Sequence, residues 1–115
     1  MPKDFRMQRI TDLIRSTLSE ILLQHSEDKR FQAVSITRVT CSKDLNHATV
    51  YVSLLRDDNI KETVKALNHA AKFLRFSLAN KIELRVTPQL RFYYDDTNAK
   101  GQRIMTLLNK ALKGK

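Results

Sequence analysis

The sequence predicts an α+β protein in which helices cover a small sheet, in the order α-β-β-α-β-α. Three observations carry this. Residues 59–82 repeat apolar side chains at Ile60, Val64, Leu67, Ala71, Leu74, Leu78 and Ile82, in alternating steps of four and three, the spacing of a helix with one face on a core. Two runs before it, residues 34–41 and 48–54, alternate at period two, the signature of half-buried strands. A third run, Leu90, Phe92 and Tyr94, follows Pro88, and Pro is tolerated at a strand's first residue or on an edge.

Taken in order, residues 4–24 place Ile10, Leu13, Ile14, Leu18, Ile21 and Leu22 at helical spacing. That predicts a first helix of about five turns. Its other face mixes Arg6, Arg9 and Arg15 with Asp4, Asp12 and Glu20. Asp12 and Glu20 read as solvated, whereas Arg6 and Arg9, one turn apart, are candidates for phosphate contact. His25-Ser26-Glu27-Asp28-Lys29-Arg30 is polar and reads as a loop. In the first strand the alternation slips by one residue around Thr37 and Arg38, which predicts a bulge. Ser42-Lys43-Asp44-Leu45-Asn46 supplies turn chemistry and predicts a hairpin to the second strand.

Asn59 followed by Glu62 has the spacing of a capping box at the start of the central helix. Straight, that helix would span about 34 Å, the diameter of a domain this size, so it either protrudes or bends. No Gly or Pro interrupts it; the small pair Ala70-Ala71 is the one soft place. After the third strand, Asp95-Asp96-Thr97-Asn98 closes the run. Ile104, Leu107, Leu108, Ala111 and Leu112 predict a short C-terminal helix, with five basic and no acidic residues from position 97 onward.

The chain of 115 residues carries a net charge of +9 and a pI near 10.0. Such a balance implies an anionic partner, nucleic acid before a membrane surface or an acidic protein. A single cysteine, Cys41, allows no internal disulfide and no cysteine metal cluster, and points to a reducing compartment. No apolar run reaches signal-peptide or membrane-span length, so a cytoplasmic protein of one domain over residues 1–115 is expected, with a monomer as the default.

Catalysis is hard to build. His25, His47 and His69 are scattered, and Asp57-Asp58 and Asp95-Asp96 sit where helices begin, where capping is the economical role. The only glycines are Gly101 and Gly114, so no glycine-rich phosphate loop exists. No enzyme activity, cofactor or metal is expected. The central helix is more informative. At about 100° per residue its apolar positions fall within about 40° of one line, while Arg75, Asn68, Lys61, Lys72 and Lys65 lie about 60° to 140° to one side. A solvating face would scatter its charges and mix in acids; a one-sided row favours a phosphate-tracking edge. Lys81, Arg85 and Arg91 extend the candidate RNA-binding set along the chain. Tyr93, opposite in phase to Phe92 and Tyr94, is either a packing residue of the sheet face or a stacking ring. Charge reversal at Lys72 and Arg75 is expected to weaken binding with little change in melting temperature.

An α-β-β-α-kink-α-β order in a small basic domain matches the type II KH layout, an RNA-binding fold. Four stretches sharpen it: residues 5–22 (FRMQRITDLIRSTLSEIL), 42–55 (SKDLNHATVYVSLL), 66–97 (ALNHAAKFLRFSLANKIELRVTPQLRFYYDDT) and 101–108 (GQRIMTLL). Together they resemble the bacterial ribosome-binding factor A family, most specifically in S-x-D-L-x-x-A-x-V-Y-V-S and R-x-x-P-x-L-x-F-x-x-D. The resemblance implies a non-enzymatic factor that binds the free 30S subunit and 16S rRNA, assists late 16S rRNA maturation including its 5′ region, and matters most in the cold. It also implies a helix-kink-helix at Ala70 and Ala71, where the family commonly has Ala-x-Gly and this chain has Lys72 in place of Gly. Longer members carry a charged C-terminal extension, whose role here is either absent or taken by the short basic end. The alternative is a small basic nucleic-acid-binding or scaffold protein with no ribosome specificity. The strand runs flanking the central helix fit a helical DNA-recognition unit poorly.

Overall fold

A computed structural model of the protein describes residues 3–24, 29–54 and 59–95. Helix α1 (Lys3–Gln24) is followed by a single-turn helix α2 (Lys29–Gln32). Strands β1 (Val34–Cys41) and β2 (His47–Leu54) come next, then helices α3 (Ile60–His69) and α4 (Ala71–Lys81), and strand β3 (Gln89–Tyr94). The strands form one mixed sheet in the order β1-β2-β3, with β1 antiparallel and β3 parallel to the central β2. The helices cover one face, α1 against β1 and α4, and α3 and α4 against β3. This is the expected type II KH-like α+β order. The expected C-terminal helix lies outside the described residues.

Burial follows the periodicities. Ile14, Leu18, Ile21 and Leu22 of α1, Leu67 of α3, and Leu74 and Leu78 of α4 meet Ile36, Val39, Ala48, Val50, Val52, Leu90 and Phe92 from the sheet. Three positions, Leu13, Thr17 and Thr63, depart from the apolar count. Leu13 is left 42% exposed, and Thr63, on the core side of α3, is 2% exposed. The helical angle explains Leu13, which sits about 100° from Ile14 while Thr17 lies closer to the core line and is buried instead. Of the polar stretch from His25 to Arg30 expected as a loop, residues 25–28 lie outside the described residues, and Lys29 and Arg30 instead open α2, where one helical turn sets Phe31 inward.

The slip in β1 is real: the register shifts between Ile36 and Arg38, leaving Thr37 as the extra residue. The hairpin turn is locked by side chains. Asp44 accepts hydrogen bonds from the Ser42 hydroxyl at 2.6 Å and from the Asn46 backbone and side-chain amides at 3.0 Å each. The Ser42 hydroxyl oxygen accepts from the His47 amide at 3.1 Å. These donors hold the Asp44 carboxyl at about 2, well below its ordinary value. They also secure Leu45 at φ 62°, a left-handed conformation that costs a branched side chain about 1–2 kcal/mol. The most specific motif of the sequence thus begins as a turn lock. The capping box at Asn59 does not form: Asn59 is itself left-handed, at φ 65°, and makes no side-chain cap, so the helix start relies on the Thr63 amide donating to the Asn59 carbonyl.

The long helix breaks at Ala70, whose ψ of 2° replaces the helical value for one residue. Lys72 stands in the first turn of α4 with negative φ, so no glycine is needed there. The break lets both halves lie on the sheet. Just before it, Asn68 grips the outer edge of β3. Its Nδ2 donates to the Phe92 carbonyl at 3.0 Å, and its Oδ1 accepts from the Phe92 amide at 2.8 Å. An amide side chain thereby completes a strand edge that has no neighbouring strand. Replacing Asn68 by Ala leaves both Phe92 groups without these partners and should lower unfolding free energy by about 1–3 kcal/mol, read by urea denaturation. An unchanged midpoint would mean that water replaces the amide at no cost.

Candidate nucleic-acid interface

The nine candidate cations are all exposed, but they do not form one surface. Lys61 and Lys65 are one turn apart on α3, Lys72 and Arg75 lie on α4, and Arg85 sits in the connection to β3. Arg6 and Arg9 are on α1. Arg91 alternates with the buried Leu90 and Phe92, so it lies on the sheet face away from the helices. Lys81 lies about 60° to the opposite side of the core line from Lys72, where its Nζ is 3.6 Å from Glu20 of α1. Glu20, expected to be merely solvated, is therefore half of a link between α1 and α4.

The polar flank of the helix pair divides by angle. Arg75 and Asn68, nearest the core line at about 60° and 80°, turn inward onto β3 and the segment before it. The Arg75 Nε and Nη2 both donate to the Thr87 carbonyl, at 3.0 and 2.8 Å, fixing the chain directly ahead of Pro88. Lys61, Lys72 and Lys65, at about 100° to 140°, lie farther round. Among the described residues none of the three is engaged by an ion pair or side-chain hydrogen bond. Glu62 is the one acidic residue of α3, and α4 has none. Angle alone ranks these residues but does not reveal that β3 lies on that side, which is why Arg75 reads as a surface cation from sequence.

The sheet's open face is the region that the sequence reading largely missed. The register sets Arg38, Tyr51 and Tyr93 side by side across three strands. The Arg38 guanidinium carbon is 4.3 Å from the Tyr51 ring centre, and the two rings are 6.3 Å apart, centre to centre, and tilted by 34°. The bulge is the signal that could have found Arg38, since the extra residue sets it opposite Tyr51. Among the described residues no group of three or more His, Cys, Asp or Glu is placed to hold a metal, and no helix is long and apolar enough to cross a membrane. His47 and His69 are exposed, while His25, Asp57, Asp58 and Asp96 lie outside the described residues. The carboxylate of Asp95 accepts a hydrogen bond from the Thr37 hydroxyl. Burial raises the Cys41 thiol above its ordinary value and leaves it protonated at neutral pH.

Because Arg75 is a fastener and Lys72 is not, the two should separate in a melt. Arg75→Ala should cost about 1 kcal/mol, whereas Lys72→Glu should stay within about 0.5 kcal/mol of the parent. Thermal denaturation followed by circular dichroism reads both; equal effects would contradict the division of the flank. For Arg75 this departs from the expectation that reversing both charges leaves stability nearly untouched, because its guanidinium holds the Thr87 carbonyl.

Comparison with known proteins agrees with this architecture. The family model for ribosome-binding factor A matches residues 6–108. The ribosome-binding factor A of Coxiella burnetii (strain Dugway 5J108-111) is 44% identical over 108 residues, covering 94% of this chain and 91% of that protein. The crystal structure of ribosome-binding factor A from Thermus thermophilus superimposes with a TM-score of 0.70 at 26% identity, over 79% of this chain and 97% of that one. A Thermus thermophilus ribosome-binding factor A homology model, fitted into a cryo-EM map of its complex with the 30S subunit, superimposes with a TM-score of 0.62 at 28% identity. It covers 74% of this chain and 90% of its own. With nearly its whole length matched, the chain belongs to the ribosome-binding factor A family.

Proposed function

We propose that the protein is a non-enzymatic assembly factor that binds the free 30S subunit through 16S rRNA. It acts in late 16S rRNA maturation, including the 5′ end, and its contribution is greatest in the cold. It works in the cytoplasm as a monomer, with residues 1–115 serving as one ribosome-binding domain. The observation that carries this reading is the outer flank of α3 and α4, where Lys61, Lys65 and Lys72 stand without carboxylate partners among the described residues. Family membership supports the choice of the 30S subunit over other anionic partners, since the related Thermus protein has been fitted into a 30S complex.

Lysines in this arrangement act as point charges on phosphates. They supply affinity and orientation without base specificity, so the rRNA would be read by shape. Co-sedimentation of the purified protein with 30S subunits tests this. The triple variant Lys61→Glu, Lys65→Glu, Lys72→Glu should bind at least about 10-fold more weakly at unchanged melting temperature. Wild-type affinity should fall with salt at a log-log slope of about −0.7 for each single-stranded phosphate neutralised. A triple variant that sediments normally would remove the flank from the interface. A wild-type protein absent from the 30S fraction would favour the ribosome-independent alternative.

A further inference from the structure

The lysine flank leaves the other side of the protein without a role, and that side is chemically distinctive. No helix of the described residues packs on it, and the register sets four cross-strand rows there. They are Ser35–Ser53, then Arg38–Tyr51–Tyr93, then Thr40–Thr49–Arg91, then His47–Gln89. Tyr93 is 43% exposed although its neighbours in β3, Leu90 and Phe92, are buried. Beside the rings a cleft of about 360 Å³ opens between the start of β2 and β3, lined by His47, Thr49, Gln89, Arg91 and Tyr93.

Each component suits an unpaired nucleotide. The exposed Tyr93 ring and the Arg38 guanidinium plane, which lies over Tyr51, offer flat faces for bases, and stacking on them tolerates any base because every base has a π face. Arg38 and Arg91 bring positive charge to the row ends, and Arg also stacks. The cleft is of small-ligand size and is edged by the donors and acceptors of His47, Thr49 and Gln89. A duplex hides its base faces and would gain nothing here. Among the described residues one carboxylate, Asp95, borders the row and receives the Thr37 hydroxyl.

We propose that the open sheet face is a second RNA contact that takes unpaired bases of single-stranded RNA, stacked on the Tyr93 ring and on the Arg38 guanidinium that Tyr51 supports, with Arg91 on the phosphates. The platform rests on the reading of the chain as an RNA-binding protein, but it occupies a different face from the lysine flank. The competing view is that the Tyr pair and its Arg merely brace the sheet, as cross-strand pairs do. Bracing would change stability without changing RNA affinity.

The chain has three tyrosines and no tryptophan, and Tyr94 alternates to the half-buried helix side, so intrinsic fluorescence reports on the platform. Titration with an unlabelled oligouridine of about ten nucleotides should quench it. Tyr51→Leu with Tyr93→Leu should weaken binding by at least about 5-fold per ring, while the matching Phe variants retain it. Should the Leu variant fail to fold by circular dichroism, Arg38→Gln with Arg91→Gln replaces it and must also weaken binding. Ultraviolet irradiation of 30S complexes should join Tyr51 or Tyr93 to rRNA. The platform is overturned if wild-type protein sediments with 30S yet shows no quenching. Leu variants that bind as wild type overturn it too, as do cross-links that run to a ribosomal protein. If wild-type protein binds neither the oligonucleotide nor 30S, the broader reading fails first and the platform with it.

Discussion

The structure depends on how β3 is held. It is the last strand of a three-stranded sheet and joins by parallel pairing, so one of its edges has no strand beside it. An unmet amide or carbonyl there would cost about as much as a lost hydrogen bond. The chain answers with helix side chains. Asn68 closes on both polar groups of Phe92, and Arg75 closes on Thr87 just upstream. The two are seven residues apart, two turns of one helix face, with the break at Ala70 between them. The break therefore matters less as a flexible joint than as the bend that lets one polar flank follow the strand.

Function is layered on that latch. The residues nearest the core line are consumed in holding β3, and the lysines beyond them are left facing outward. The same strand carries Arg91 and Tyr93 onto the open face while Leu90 and Phe92 enter the core. One element thus joins the hydrophobic interior, the lysine-bearing helices and the aromatic row. A change that loosens β3 would disturb both candidate RNA surfaces together, whereas changes at Lys72 or Tyr93 would touch one.

Much of this was legible in the sequence because burial imposes periods. The step of 3.6 in α1, α3 and α4 and the step of two in β2 reflect a single covered face, and the slip at Thr37 exposed the bulge. The break at Ala70 was not legible from periodicity, since the apolar line runs through it; the family resemblance supplied it. Other features were hidden for definite reasons. Asn68 and Arg75 look like solvated flank residues because a helical projection knows only its own axis. Lys81 looks like a free cation because Glu20 is 61 positions away in the chain and adjacent only after folding. Asn59 has the sequence of a cap but adopts a left-handed backbone that turns its side chain from that role. The Arg38–Tyr51–Tyr93 row needs three strands in register before it exists at all.

The central claim is that Lys61, Lys65 and Lys72 face RNA while the α1 seam at Glu20 and Lys81 does not. Amide hydrogen exchange of the protein, free and bound to 30S subunits, tests it most directly. Protection on binding should appear in α3 and the first turns of α4, whatever the sheet shows, with the middle of α1 unchanged. Protection confined to α1, with α3 exchanging as in the free protein, would contradict the account.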